Sequence, residues 1–280
     1  RIDPQTTAVS VACTNGSEVW RTSVAPGSDL SGWPVDVQPL ISAAFTPEMA
    51  AAHTASQAPS LPAFTTADYG DTITPQMFGA IADDSTDCSQ AFIAAQAAAN
   101  SSGAAVLVPR GKYVVNATIN FADEDTWIFQ GATVRTTVNT NKIFSGVGRR
   151  DVSILGHLTL RGTFAAGQAI SAPATTAETG LYLENCTRVT VENVRAFDFK
   201  GIGIHVLGSS ASTVYANKSK FAEVSAQNCT IGIKADAGSG GEFCTWTNPH
   251  VAGCTTGIEM SAANHTVMGG LITNNATGIK

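Results

Sequence analysis

The 280-residue sequence carries few charges and concentrates none of them. Only 14% of the residues are Asp, Glu, Lys or Arg, the formal net charge is −6, and Lys and Arg form no cluster. A surface that binds nucleic acid needs dense positive charge, so the composition argues against a nucleic-acid partner. No apolar run approaches the length of a membrane span and no signal peptide is visible, so we expect no membrane partner.

Sequence motifs for cofactors are missing as well. No phosphate-binding loop, nucleotide fingerprint or Ser-His-Asp signature is present, and the acidic residues form no group of calcium ligands. We therefore expect no cofactor and no metal. An even number of cysteines would permit disulfides in a secreted protein, whereas their scatter favours buried free thiols. The six cysteines, whose spacings match no zinc or redox motif, are Cys13, Cys88, Cys186, Cys229, Cys244 and Cys254.

Turn-forming residues are abundant, and an internal repeat accompanies them. The chain has 26 glycines and many Ser, Thr and Asn residues, which suits a solenoid with many turns. The same composition accounts for the Asn-x-Ser/Thr sequons, which would otherwise indicate a glycosylated secreted protein. A Gly-Leu or Gly-Ile step recurs at intervals of 23, 29, 25 and 21 residues, at Gly180-Leu181, Gly203-Ile204, Gly232-Ile233, Gly257-Ile258 and Gly278-Ile279.

Alignment of the copies on this glycine reveals a two-residue alternation. The first and third residues after this glycine are apolar, whereas the second is polar or amphipathic. One such strand cannot bury itself, but stacked copies share a core, which predicts parallel rungs about 4.8 Å apart. Cys229 and Cys254 would stack on adjacent rungs, as thiols rather than a disulfide. The intervals place protruding loops at 209–218 and 237–242.

A compact unit precedes the repeat. Phe78-Gly79-Ala80 leads to an alanine-rich helix with Asp87 as its predicted N-cap, Gln90 as the capping-box partner, and Ser102-Gly103 at its end. A buried strand and a Pro-x-Gly-x-Tyr turn (109–113) follow. Because Phe92, Ala95 and Ala99 form one apolar face, we expect this helix to cover the end of the solenoid.

This unit resembles the N-terminal cap of the pectate-lyase-like parallel β-helix proteins, in the form found in bacteriophage tailspikes. Phe78-Gly79-Ala80, Thr86-Asp87 and Val106 to Tyr113 match that pattern. Ala82-Asp83-Asp84 stands in place of a Gly-Asp-Gly turn, and Cys88 in place of a second Asp. The resemblance implies an all-β, right-handed parallel β-helix with an N-terminal capping helix. It is not specific for one chemistry, because this cap occurs on lyases, hydrolases, epimerases and non-enzymes alike.

Three regions are predicted from these features. Residues 1–70 form a small attachment and linker region with strands at 7–12 and 18–24, and residues 71–115 form the cap. Residues 116–280 form the rungs. The last copy of the repeat ends in mid-rung at Lys280, so we expect either that the natural chain continues or that another chain covers the open end.

The polar position of the repeat supplies the candidate site. Tyr182, His205, Lys234 and Glu259 would share one outer face on successive rungs. Cleavage of a polysaccharide needs either two carboxylates or a base beside a uronate with a neutralising cation. The functional hypothesis makes His205 and Glu259 catalytic, with Lys234 binding a uronate and Tyr182 stacking on a sugar. The alternative is a solvated face with a weak Lys-Glu ladder.

Other ionisable residues offer weaker candidates. Asp198, Lys200, Glu223 and Glu242 lie near these strands but share no column, and isolated His250 and His265 suit structural roles. The motif series of polygalacturonases and the Asp-Pro-His-Glu stretch of alginate epimerases do not occur.

The tailspike resemblance implies a homotrimeric phage tail protein, located in the virion, with phage tail or baseplate proteins as partners. Its ligand would be a bacterial surface polysaccharide, which it binds and in some relatives depolymerises as a lyase or glycoside hydrolase. Two alternatives stay open at this point. One is a non-catalytic structural or adaptor protein of the virion, and the other is a secreted microbial carbohydrate-active enzyme.

Overall fold

The chain divides into two compact units, Arg1–Pro62 and Ala63–Lys280. A computed structural model describes residues 9–15, 18–24, 72–139, 142–164, 178–208, 218–237, 244–261 and 265–280. In the first unit, β1 (Val9–Asn15) and β2 (Glu18–Val24) form an antiparallel pair. Both strands were predicted, but the first extends to Asn15 rather than ending at Ala12. The division at residue 70 and the continuation past Lys280 stay predictions.

The second unit is a parallel β-helix whose strands lie on three faces. The first face contains β3 (Thr72–Ile73), β5 (Ala105–Val108), the first halves of β8 (Thr126–Arg135) and β10 (Ser153–Arg161), β12 (Thr190–Glu192), β15 (Lys220–Ala222), β18 (Thr245–Thr247) and β21 (Thr266–Met268). The second face contains β4 (Asp83–Asp87), β6 (Gly111–Val114), the second halves of β8 and β10, β13 (Val194–Phe197), β16 (Ser225–Gln227), β19 (His250–Ala252) and β22 (Leu271–Thr273). The third face contains β7 (Ile119–Asn120), β9 (Lys142–Val147), β11 (Thr179–Glu184), β14 (Ile202–Gly208), β17 (Ile231–Ala237), β20 (Thr256–Met260) and β23 (Thr277–Ile279).

The register of the third face confirms the repeat residue by residue. Leu181 pairs in register with Ile204, which pairs with Ile233, then Ile258, then Ile279. All of these except the last are at most 1% exposed, so they form a continuous internal stack. The predicted all-β parallel solenoid with an N-terminal capping helix is therefore confirmed.

The structure also explains why the repeat begins with glycine. A Cβ atom on Gly180, Gly203, Gly232 or Gly257 would lie 2.6–2.7 Å from the carbonyl oxygen of the glycine on the next rung. Real Cβ atoms do not approach a backbone oxygen so closely. At the spacing of stacked rungs, any larger residue would have to push two rungs apart.

Left-handed backbone conformations turn the chain at the corners. Asn193, Glu223, Asn248 and Gly269 have positive φ between the first and second faces, and Asp198, Asn228, Gly253 and Asn274 have positive φ between the second and third. Asn and Gly tolerate this conformation best, which accounts for the abundance of Asn in the turns. At one of these turns, Asn275 also bonds to a neighbouring rung, because its Oδ1 accepts the backbone N–H of Cys254 at 2.8 Å.

Helix α1 (Ser89–Ser102) covers the N-terminal end of the β-helix, and a short 3-10 helix (Pro75–Phe78) precedes it. The predicted apolar face is confirmed, since Phe92, Ala95 and Ala99 are at most 2% exposed. The predicted N-cap is wrong by one residue, because Cys88 occupies that position without a side-chain cap. Asp87 lies one residue earlier, where its Oδ1 accepts the backbone N–H of Ser89 at 3.0 Å.

Aromatic packing joins this cap to the rungs. The Phe92 ring stacks on Trp127 of β8 with centroids 6.2 Å apart and meets the Tyr113 ring edge-on at 5.5 Å. The Tyr113 hydroxyl donates to the carbonyl oxygen of Pro109 at 3.0 Å, which closes the Pro-x-Gly-x-Tyr turn. The turn requires glycine, because a Cβ on Gly111 would lie 2.5 Å from that of Ala82.

Buried free thiols are confirmed wherever the structure describes a cysteine side chain. Cys88, Cys186, Cys229, Cys244 and Cys254 are buried and unpaired by disulfides. The side chain of Cys13 lies outside the described residues, as do almost all of the predicted protruding loops at 209–218 and 237–242.

Candidate functional site

The outer surface of the third face brings together the four predicted site residues. Tyr182 is in register with His205, His205 with Lys234, and Lys234 with Glu259. We call these four side chains the outer row. Because neighbouring parallel strands are about 4.8 Å apart, side chains on adjacent rungs are close enough to touch.

The outer row is more covered than the alternation predicted. Tyr182 is 7% exposed, and the side chains of His205, Lys234 and Glu259 are 12%, 21% and 20% exposed. These residues point outward, as predicted, but they do not project freely into solvent. They cover one another, because each long side chain lies along the surface of its neighbour.

A charged network holds the row together. Lys234 Nζ lies 3.0 Å from Asp236 Oδ2 and 3.5 Å from Glu259 Oε1, so one ammonium bridges two carboxylates. His205 Nε2 lies 2.9 Å from the same Asp236 oxygen. Asp236 is thereby shared between two members of the row. The pairing is partly buried, where such contacts contribute more than at an open surface.

The environment favours a neutral His205. Burial lowers the pKa of this imidazole, and although Asp236 opposes that shift, Lys234 and Lys142 add to it. A neutral imidazole that donates Nε2–H to Asp236 keeps a lone pair on Nδ1. Burial opposes the charge on Lys234, but Asp236 and Glu259 outweigh it and raise the pKa of the ammonium. The row therefore contains a neutral base next to a permanent cation.

Tyr182 is held at one end of the row. Its hydroxyl donates to Glu184 Oε2 at 2.7 Å, and its ring meets the His205 ring edge-on with centroids 5.2 Å apart. The ammonium of Lys142 lies 3.3 Å from the ring centroid, a cation–π contact. Stacking on a sugar stays a prediction for Tyr182, and Lys142 would have to vacate the ring face for it.

A sequence profile of the rhamnogalacturonase A/epimerase, pectate lyase-like family matches residues 76–280. This match covers well over half of the chain and includes the cap, all three faces and the outer row. The chain belongs to this family. The match begins at residue 76, inside the 3-10 helix that precedes α1.

Solved structures share this pectate lyase-like fold. An N-terminal fragment of gene product 12 from bacteriophage phi29 aligns with a TM-score of 0.58 at 20% identity, over 74% of this chain and 42% of that one. The pre-mature form of the same phage protein gives 0.55 at 21% identity, over 69% and 28%. The A-module of mannuronan C-5 epimerase AlgE4 from Azotobacter vinelandii gives 0.50 at 15% identity, over 75% and 59%.

These similarities establish the fold only, because every identity is low. The chain spans less than half the length of the phi29 structures that it matches. A search of curated proteins finds no significant match. The chemistry of this family member must therefore be argued from its own residues.

The other ionisable candidates do not join the outer row. Asp198 Oδ2 lies 3.4 Å from Arg161 and Asp198 Oδ1 accepts from the Asn228 amide, whereas Glu223 accepts from Asn248 at the corner between the first and second faces. Glu242 lies outside the described residues. In the part of the chain that the structure describes, no group of three or more His, Cys, Asp or Glu side chains could hold a metal. No described helix is long and apolar enough to cross a membrane.

Sequence reasoning missed three residues that touch the row. Asp236 and Glu184 stand two positions beyond Lys234 and Tyr182 on the same strands, so the alternation could have found both. Lys142 lies on β9, which precedes the first Gly-Leu step, so the repeat in the sequence does not identify its rung. Asp236 matters most of the three, because it links His205 to Lys234 and thence to Glu259.

Proposed function

We propose that this protein is a phage tail protein that binds a bacterial surface polysaccharide along the outer row. It acts as a homotrimer in the virion, and phage tail or baseplate proteins hold its N-terminal region. The tailspike form of the cap and the fold shared with a phi29 protein support the phage assignment.

One observation carries the binding proposal. Four successive rungs, β11, β14, β17 and β20, present polar or charged groups in register, and these groups are already fixed by contacts with their neighbours. Side chains that are held in place lose little entropy when a ligand binds. The charge of Lys234 is offset by Asp236 and Glu259, so the row suits hydroxyl groups better than it suits a uronate carboxylate. Carboxylate oxygens accept from sugar hydroxyls, and the ammonium donates to them.

Cleavage is a second candidate function, and a specific observation favours it. A general base must be unprotonated near neutral pH, and burial lowers the pKa of His205 in that direction. Lys234 lies beside His205 on the next rung and would donate a hydrogen bond to the substrate oxygen on which negative charge develops. Glu259 completes the row as the second proposed catalytic residue, a carboxylate held by Lys234.

Binding and cleavage are tested on the same samples. Purified capsular polysaccharides and lipopolysaccharide O-chains are titrated calorimetrically, and polymer length is followed by size-exclusion chromatography with light scattering. Lys234→Met and Glu259→Gln should weaken binding by about tenfold or more, the loss expected for a charge-assisted hydrogen bond. His205→Gln should abolish shortening of the polymer while binding persists.

The matched control is Glu192→Gln, which removes an exposed carboxylate from β12 on the first face. It should change neither binding nor cleavage. If Lys234→Met and Glu259→Gln bind as tightly as the parent protein, the outer row is not the binding site. Binding without any shortening would refute the catalytic roles of His205 and Glu259 and leave a recognition protein. The absence of binding to every polysaccharide would favour a structural or adaptor role.

A further inference from the structure

The second face carries a groove that is separate from the outer row. A cavity of about 360 Å³ lies against β13, β16 and β19 and is lined by Arg195, Phe197, Gln227, Glu223, Asn248 and His250, among others. A second cavity of about 220 Å³ shares Asn193 and Arg195 with it and extends past His157 and Thr159 on β10. Together their linings span five rungs, from Gly131 on β8 to β19, about 19 Å along the axis.

Residue sizes explain why this face is concave. In register across the rungs, Arg195 is followed by Ser225 and then His250, while Phe197 is followed by Gln227 and then Ala252. Small Ser225 therefore lies between two long side chains, and small Ala252 follows Gln227, so both leave space in the groove. Along one edge run the left-handed corner residues Asn193, Glu223 and Asn248.

The polar groups of this groove are uncommitted, unlike those of the outer row. Among the described residues, the side chains of Arg195, Gln227 and His250 form no ion pair and no hydrogen bond, and all three are exposed. Phe197 lines the groove and is half-buried, with the guanidinium of Arg161 6.0 Å from its ring centroid. A ligand would therefore replace only water at these groups, without breaking contacts within the protein.

Charge selects the class of ligand. Arg195 has no carboxylate within ion-pair distance in the described part of the chain. The single acid that lines the groove, Glu223, accepts from the Asn248 amide at 2.7 Å. An unpaired guanidinium presents a fork that matches a carboxylate. In a protein with a net charge of −6, this unopposed cation favours an anionic ligand locally.

The topology argues against an extended peptide as the occupant. Peptides that add to a sheet need the free backbone groups of an edge strand. Here β13, β16 and β19 lie inside a ladder, each paired with a strand on either side. Recognition must come from side chains alone, and the guanidinium, amide, imidazole and aromatic groups on successive rungs suit a chain of hydroxyls and carboxylates.

We infer that the groove on the second face binds a linear, carboxylate-bearing oligosaccharide. The carboxylate pairs with Arg195, Gln227 and His250 bind hydroxyl groups, and a sugar ring packs on Phe197. This site is independent of the outer row, so it stands or falls separately from the proposed function.

The test uses the full chain and defined probes. Oligogalacturonate, hyaluronan oligosaccharides and sialic acid oligomers are titrated at millimolar concentration, each beside its carboxyl-reduced, neutral counterpart. Binding is measured by calorimetry and mapped by the side-chain NMR resonance of Arg195. At least one acidic probe should bind and shift this resonance, and its neutral counterpart should bind about tenfold more weakly or not at all.

Single substitutions distinguish binding in the groove from binding elsewhere on the protein. Arg195→Gln should abolish the preference for the acidic probe. Phe197→Leu should weaken binding, since leucine still fills the buried part of this site but has no aromatic ring. Arg150→Gln, which removes another exposed arginine, should leave the affinity unchanged. Because Arg195 is exposed and forms no ion pair, its variant should unfold at the same urea concentration as the parent.

Three results would overturn the inference. The first is that the Arg195 resonance does not shift with any probe. The second is that acidic and neutral probes bind with equal affinity, and the third is that Arg150→Gln loses as much binding as Arg195→Gln. If Arg195→Gln instead dissociates an oligomer of the chain in sedimentation experiments, the groove is a subunit interface and the inference is wrong.

Discussion

Replacing Gly203 by alanine should destabilise the β-helix, although alanine is usually the more favourable residue in an ordinary backbone conformation. Gly203 begins β14's repeat step and has no positive φ. A Cβ atom at this position would lie 2.7 Å from the carbonyl oxygen of Gly232, 3.1 Å from the Cβ of Ala226 and 3.2 Å from that of Ala196. The first contact is with backbone, which cannot rotate away, so two rungs must separate locally.

The expected magnitude follows from two opposing effects. Forcing an extra methyl group into a packed core typically costs about 1–3 kcal/mol, and a contact with backbone belongs near the upper end. The substitution also reduces the entropy of the unfolded chain, which stabilises the folded state by about 0.4–1 kcal/mol. The net loss in free energy of unfolding should therefore be about 2 kcal/mol.

Urea denaturation followed by tryptophan fluorescence measures this loss, since Trp127 and Trp246 are fully buried. The midpoint should fall while the slope of the transition stays unchanged. Gly278→Ala is the matched control in the same repeat position, because the nearest atom to its Cβ would be Ile272 Cγ2 at 4.0 Å. It should be neutral or slightly stabilising. If Gly203→Ala is as stable as the parent chain, glycine is not required by rung spacing.

The remaining predictions concern the core, the outer row and the thiols. Ile233→Ala should cost about 3–4 kcal/mol in urea denaturation, because this fully buried side chain is packed between rungs, whereas Val147→Ala, at a position that is 51% exposed, should cost under about 1 kcal/mol. Burial lowers the pKa of His205 in the folded protein below its usual value of 6.5, so on acidification the unfolded chain takes up this proton before the folded protein does. The free energy of unfolding should therefore fall as the pH drops below 6.5, and His205→Gln should flatten that dependence. An unchanged pH dependence in the variant would contradict the buried neutral imidazole. The five buried cysteines should resist a thiol reagent in the native protein and react only in urea, and rapid labelling or a disulfide found by mass spectrometry would contradict their burial as free thiols.

Much of the fold could be predicted because aligning the copies of the repeat gives the register of the stacked strands. The Gly-Ile step fixes which residue stacks on which, and the pairing of Leu181 with Ile204 and Ile233 follows the predicted alignment. The N-cap of α1 was misplaced because Asp87 is a good capping residue by type. Its carboxylate does accept a backbone N–H at the helix start, but from one position before the cap.

The site was harder to predict than the fold. The alternation predicts that the outer row faces outward. It does not predict how far these side chains cover one another, because that depends on neighbours such as Lys142, which lies outside the recognisable repeat. The groove on the second face was missed for a similar reason. Its strands are three or four residues long, and the corner residues Asn193, Glu223 and Asn248 that align them share a backbone conformation rather than a residue type.

The most direct test of the central claim is a crystal structure of the protein with oligosaccharide fragments of bacterial surface polysaccharides. The proposed function predicts a saccharide along the third face, in contact with Lys234 and Glu259 and near His205. A saccharide bound only on other surfaces, with the outer row still closed by its own ion pairs, would contradict the claim.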